Sequence, residues 1–206
     1  MKQFGTAIIL AGGKSSRMGF DKQFLRLKER LLMDSLVQRL KPSFSELIIV
    51  TNKPEEYKGL PVIVTQDVFV EKGPLAGIHA GLLKSSSHFS YILACYMPNI
   101  NMEFIDHMKS QIEGSDKKAC IARFKDWIEP FNAFYSVDII EPLEDFLELG
   151  GRSVNRLLRN LDINFIDEEI ARKFSPNWDM FYNLNTKADI NEYLEKLEGI
   201  GGFAWK

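Results

Sequence analysis

Thr6-Ala7-Ile8-Ile9-Leu10-Ala11-Gly12-Gly13-Lys14-Ser15-Ser16-Arg17-Met18-Gly19-Phe20-Asp21-Lys22 is the stretch on which the reading of this chain turns. Thr6 to Leu10 carries no polar side chain after the threonine, the mark of a strand covered on both faces. The run then breaks into glycines: Gly12, Gly13 and Gly19 free the backbone of Cβ interference, and Lys14, Arg17 and Lys22 add positive charge. A buried strand entering a glycine-rich cationic loop predicts an anion-binding nest at the carboxyl end of a parallel strand, where α/β proteins gather their ligands. It is neither of the common phosphate motifs. A P-loop needs Gly, four residues, then Gly-Lys-Ser/Thr, and the dinucleotide motif needs Gly-x-Gly-x-x-Gly, whereas Gly12 and Gly13 are adjacent.

Similar short apolar runs follow at Leu47–Thr51, Val62–Thr65, Phe89–Ala94 and Lys118–Ala122, and these are expected to be the central strands. Between them lie segments of helical period: Leu31–Leu40, Leu75–Leu83 opened by Pro74, and Met102–Ile112. Small residues Ala76, Gly77, Ala80 and Gly81 let the second of these helices lie close to a sheet. After about Trp127 the order is less regular, with strands expected at Phe131–Tyr135 and Phe181–Asn183 and helices near Ile139–Leu149, Val154–Leu161 and Lys187–Leu197. The alternation gives an α/β fold with a mostly parallel sheet. With 206 residues, one domain is expected over 1–206, its second part a subregion beside the first sheet.

Composition narrows the function. The 26 basic and 28 acidic residues leave a net charge of −2, which disfavours nucleic acid or an anionic membrane as a partner held by bulk charge. No apolar run approaches the roughly 20 residues of a membrane span. Cys95 and Cys120 are too few for a disulfide framework, and Met1–Gly5 leads into a strand rather than a secretion signal, so the cytoplasm is the expected compartment.

The pattern Leu-Ala-Gly-Gly-x-Ser-x-Arg-Met-Gly-x-Asp-Lys over residues 10–22 resembles the signature of the molybdenum cofactor guanylyltransferases, nucleotidyltransferases that attach a nucleotide to molybdopterin. The resemblance extends through Gly73-Pro74-Leu75-Ala76-Gly77-Ile78, the turn Ala94-Cys95-Tyr96-Met97-Pro98, Glu129-Pro130-Phe131-Asn132-Ala133-Phe134-Tyr135 and Asn183-Leu184-Asn185-Thr186. It implies a Rossmann-like three-layer α/β/α sandwich of the nucleotide-diphospho-sugar transferase type, with 1–125 holding the nucleotide and 126–206 the acceptor. It also implies transfer of GMP from GTP to molybdopterin with release of pyrophosphate. Leu10, Ala11, Gly12 and Gly13 match the backbone stretch on the guanine nucleotide, Arg17 and Lys22 the cations on its phosphates, and Asn52, Asp67 and position 96 further nucleotide contacts. Gly12 favours guanine, since the cytidylyl-transferring relatives usually have Leu-Ala-Ala-Gly. Proteins that deliver molybdopterin or mature molybdoenzymes are the implied partners.

One position departs from the family. Its Cys-Asp-x-Pro aspartate holds the Mg²⁺ that bridges the nucleotide phosphates, and here the residue is Tyr96. A phenol is neutral at pH 7 and bulky, whereas Mg²⁺ wants hard anionic oxygen. Magnesium binding is therefore expected to be weakened or lost, with Asn185 the best compensating ligand because the wider superfamily uses an asparagine near its last strand. Two alternatives stay open: a nucleotide- or pterin-binding relative with impaired catalysis, and a transferase with another acceptor or base, such as a sugar phosphate or a CTP-dependent pterin. Asn99 and Asn101 are expected to turn the chain and cap the next helix, Asp21 to fix the loop beside Lys22, His79 to pack, and Glu141–Glu148 to form a solvated helix face. Arg152, Arg156 and Arg159 are candidates for the pterin phosphate.

Overall fold

The computed structural model describes residues 1–12 and 21–199. The chain runs through β1 (Lys2–Leu10), the two-residue pair β2 (Arg26–Leu27) and β3 (Arg30–Leu31), α1 (Leu32–Leu40), β4 (Glu46–Val50), β5 (Ile63–Thr65), α2 (Pro74–Lys84), β6 (Ser87–Ala94) and α3 (Met102–Ile112). It continues through β7 (Ala119–Phe124), β8 (Trp127–Ser136), α4 (Ile140–Glu148), α5 (Val154–Leu158), β9 (Ile163–Asp167), α6 (Glu168–Phe174) and α7 (Lys187–Gly199).

Seven strands form one sheet in the order β5-β4-β1-β6-β8-β7-β9. β1 pairs in parallel with β4 on one side and β6 on the other, so the chain reverses its direction of winding at β1. Ligands collect outside the strand ends at such a reversal. Alternation along β1 feeds two cores: Ala7, Ile9 and Ala11 face a layer with α1 and α3, while Ile8 and Leu10 face α2 and α4. This is a three-layer α/β/α sandwich, as the family resemblance implied.

α2 approaches the sheet as closely as its small residues allow. A Cβ on Gly81 would stand 2.6 Å from Ile8 Cγ2, and one on Gly77 3.2 Å from Leu10 Cδ2. Gly73, at φ 73°, turns the chain into the helix and Pro74 opens it.

Three details differ from the sequence reading. β8 does not lie beside the first sheet but inside it, antiparallel to both β6 and β7. A two-residue turn at Lys125-Asp126, with Lys125 at φ 52°, folds β8 back from β7, so β7 is separated from β6 by its own hairpin partner. Phe181–Asn183 is no strand: Asp179–Phe181 is a 3₁₀ turn entered through left-handed Trp178, and Leu184 N–H then donates to Tyr96 O at 3.0 Å. Ile163–Asp167 and Glu168–Phe174 add a strand and a helix where none was expected. Among the described residues no helix is long and apolar enough to cross a membrane.

Candidate active site

A cavity of about 660 Å³ opens at the carboxyl ends of β5, β4, β1 and β6, directly over the winding reversal. Each strand end contributes to it: Leu10 and Gly12 from β1, Val50 and Asn52 from β4, Asp67 from beyond β5, and Ala94 and Tyr96 from β6. Val70, Glu71 and the start of α2, namely Gly73, Pro74 and Gly77, form another wall, and Phe131 and Arg152 complete it. Three strand spacings separate the β5 end from the β6 end, about 14 Å in all, and the Asp67 side chain reaches in from beyond β5 to the Gly77 wall, where a Cβ would stand 3.7 Å from its Oδ1.

The expected site residues divide clearly. Leu10, Gly12, Asn52, Asp67 and Tyr96 line the cavity. Ala11 does not: its side chain is buried on the α1/α3 face and its N–H donates to Val50 O at 2.8 Å, so it knits β1 to β4 behind the cleft. Gly13 and Arg17, with Lys14, lie outside the described residues. Of the three arginines considered for the acceptor, only Arg152 reaches the cavity, and Arg156 and Arg159 are exposed on and after α5. Burial raises the Asp67 carboxyl above the usual range for an aspartate.

Lys22, Tyr96 and Asn185 come together. The Lys22 ammonium donates to Asn185 Oδ1 at 2.7 Å and sits 4.2 Å from the centroid of the Tyr96 ring. Asp21 fixes the start of this segment by accepting from Gln23 N–H and Gln23 Nε2, at 3.3 and 2.7 Å, and pairs with Lys53 at 3.2 Å. Asn101 caps α3 through Phe104 N–H at 2.9 Å, and Asn99 bridges Asp179 O and the Tyr193 hydroxyl, so both have structural employment.

A family model described as the MobA-like NTP transferase domain matches residues 7–165. The molybdenum cofactor guanylyltransferase of Syntrophotalea carbinolica is 48% identical over 199 residues, covering 97% of this chain and 95% of its own. A probable molybdenum cofactor guanylyltransferase of Peptoclostridium acidaminophilum is also 48% identical, covering 94% and 90%. The chain belongs to the molybdenum cofactor guanylyltransferases. The fold is that of the family too: molybdopterin-guanine dinucleotide biosynthesis protein A from Archaeoglobus fulgidus superposes with a TM-score of 0.83 at 24% identity, covering 94% of this chain and 99% of that one.

Within this guanylyltransferase fold the magnesium expected from the family meets an unsuitable donor set. Burial pushes the Tyr96 phenol up to about 12, so it offers a neutral hydroxyl and no anionic oxygen. The Asn185 amide oxygen already accepts from an ammonium. Among the described residues no three His, Cys, Asp or Glu side chains converge to hold a metal ion. The residues at 96 and 185 do not fit Mg²⁺.

Sequence reasoning passed over Glu129. It lies on β8, is 3% exposed, accepts from Phe131 N–H at 3.0 Å and bonds to the Asn183 side chain. Burial outweighs those hydrogen bonds and pushes its carboxyl up to about 7. Its charge bears on Tyr96, Tyr91 and Tyr135. The available signal was a lone carboxylate inside an aromatic strand. His79 packs as expected, buried at 1% exposure, with Nε2 2.7 Å from Glu144 Oε1, and so joins α2 to α4 rather than reaching the cleft.

Proposed function

We propose that the protein transfers GMP from GTP to the terminal phosphate of molybdopterin. The observation that carries this reading is the cleft itself, with the Asp67 carboxylate in its lining and the Lys22 ammonium set against the Tyr96 ring that lines its β6 side, a pairing of charges that suits a guanine nucleotide. The Asp67 carboxylate accepts hydrogen bonds from N1–H and the exocyclic amino group of guanine. Asn52 and the exposed peptide at Gly12 hold the ribose side. Lys22, with Arg17 and the amides of Gly12 and Gly13, neutralises the triphosphate, and Arg152 receives the acceptor from the opposite wall. Residues 1–125 thus serve the nucleotide and 126–206 the acceptor within a single domain.

The chemistry needs no protein nucleophile. An oxygen of the acceptor's phosphate attacks the α-phosphorus of GTP, the bond from α-phosphorus to the β-bridging oxygen breaks, and its electron pair leaves with pyrophosphate. A phosphate dianion is already a competent nucleophile, so no proton has to be removed first. The protein acts by holding the two phosphates together and by placing fixed positive charge where negative charge crowds. Because the donor set does not suit Mg²⁺, no step is assigned to an ion bound by residues 96 and 185. We place the reaction in the cytoplasm, with a molybdopterin-delivering protein as the upstream partner.

Incubation with α-labelled GTP and molybdopterin tests this. Labelled dinucleotide and pyrophosphate are expected; transfer only from CTP, or only to a sugar phosphate, overturns it. Tyr96 favours one second reading, a nucleotide binder without transfer, which GTP binding without pyrophosphate release would establish.

A further inference from the structure

The mismatch at position 96 is only half of what the structure places there. The other half is what the tyrosine does. We propose that the Lys22 ammonium, held between the face of the Tyr96 ring and Asn185 Oδ1, is a built-in cation that serves this site without a protein-bound divalent ion. The proposal rests on the nucleotide reading above and extends it to the site's own cation.

The cage is set by backbone as well as side chains. Leu184 N–H donates to Tyr96 O at 3.0 Å, which clamps the last loop onto the turn after β6 and brings 185 alongside 96. Asn185 N–H in turn donates to Asp189 Oδ2 at 2.8 Å, so the residue that holds the ammonium is itself held. Lys22 opens a 3₁₀ turn closed by Leu25 N–H to Lys22 O at 3.1 Å and capped by Asp21. The ammonium lies 4.2 Å from the ring centroid, well inside the range of about 6 Å over which a ring face attracts a cation. A ring face suits an ammonium far better than it suits Mg²⁺. An ammonium takes both a π face and a neutral amide oxygen, whereas Mg²⁺ demands near-octahedral hard oxygen and sheds water reluctantly. An aspartate at 96 is thus replaced by a group that recognises a monovalent organic cation, and the chain supplies that cation itself. Metal then reaches the cleft only as the counter-ion the nucleotide brings on its own phosphates.

The test separates protein-bound metal from nucleotide-bound metal. Ligand-free wild type, Tyr96→Phe and Tyr96→Asp are titrated with Mn²⁺ and free ion is read by electron paramagnetic resonance. Wild type and Tyr96→Phe are expected to take up no Mn²⁺ at about 1 mM, and Tyr96→Asp to bind it at least about tenfold more tightly. In parallel, GTP affinity is measured with and without chelator. Wild type and Tyr96→Phe, which keeps the ring face, are expected to change less than about threefold on metal removal. Lys22→Gln is expected to lose about tenfold or more in chelator and to recover part of it with Mg²⁺. Uptake of Mn²⁺ by ligand-free wild type, a chelator response in Tyr96→Phe well beyond threefold, or Lys22→Gln matching wild type in chelator each overturn the proposal. Should Tyr96→Asp fail to fold, the other arms still decide. The Mn²⁺ arm uses no nucleotide, so failure of the guanylyl-transfer reading appears separately, as absence of GTP binding in wild type.

Discussion

Glu129→Gln isolates the cost of a buried charge beside the site. The side chain is 3% exposed, and its carboxyl is pushed from an ordinary 4.5 up to about 7. The folded protein therefore holds a proton on Glu129 up to about pH 7, while the unfolded chain releases it near pH 4.5. Between those values the folded state binds more protons than the unfolded one, so stability is fully present below the lower value and is lost as pH rises through the upper. At about 1.4 kcal/mol per pH unit the full loss is about 3 kcal/mol. Glutamine carries no titrating proton and keeps an oxygen for Phe131 N–H, so the variant escapes this loss. Asp67, also raised, titrates in both proteins and cancels in their difference. Urea denaturation at about pH 5 and about pH 8 is the assay. The wild-type minus variant difference should shift by about 2 to 3 kcal/mol in favour of the variant at the higher pH. A difference that stays flat, or that shifts in favour of Glu129 as pH rises, refutes the claim that burial dominates this carboxyl.

Two further outcomes follow from the cleft and the helix behind it. Asp67→Asn should weaken GTP about 10- to 100-fold while affecting ITP, which lacks the exocyclic amino group, less; wild-type GTP affinity should also begin to fall on acidification at a higher pH than an exposed aspartate gives, both read by calorimetric titration. Gly81→Ala places a methyl 2.6 Å from the buried, branched Ile8 side chain and should cost about 1–3 kcal/mol despite alanine's better helix propensity, whereas Gly77→Ala, 3.2 Å from the end of Leu10, should cost less; denaturant midpoints compare the two.

The first part of the chain, through α3, was legible because its signals are local. Strands such as Leu47–Thr51 alternate with helices marked by Pro74 and by the Asn101 cap, and α3 runs over the expected Met102–Ile112. Strand order past residue 119 was hidden because pairing partners are a tertiary choice: the Phe131–Tyr135 run shows a strand but not that it enters between β6 and β7. Phe181-Tyr182-Asn183 looks like a strand by its aromatics, yet the left-handed Trp178 and the Leu184 bond to Tyr96 hold it as a turn and loop. Tyr96 was visible as an anomaly, but its partners were not. Lys22 and Asn185 stand 163 positions apart, and nothing in spacing predicts that they share one ammonium.

The arrangement of charge also explains how a chain of net charge −2 can hold a polyanion. Bulk attraction is absent, so orientation has to come from the cleft's own polarity. Asp67 and Glu71 enter from the loop after β5, and Lys22 stands over Tyr96 after β6, with the start of α2 at Gly73 and Pro74 presenting the positive end of its dipole to the cleft. A nucleotide laid in reverse would bring its phosphates to the Asp67 carboxylate and its base to an ammonium. Laid forward, as proposed above, its base donors would meet a carboxylate and its phosphates fixed positive charge. On the proposal above, a tyrosine at 96 is tolerable because the phosphates need a positioned positive charge, and the ring holds the Lys22 ammonium 4.2 Å from its centroid.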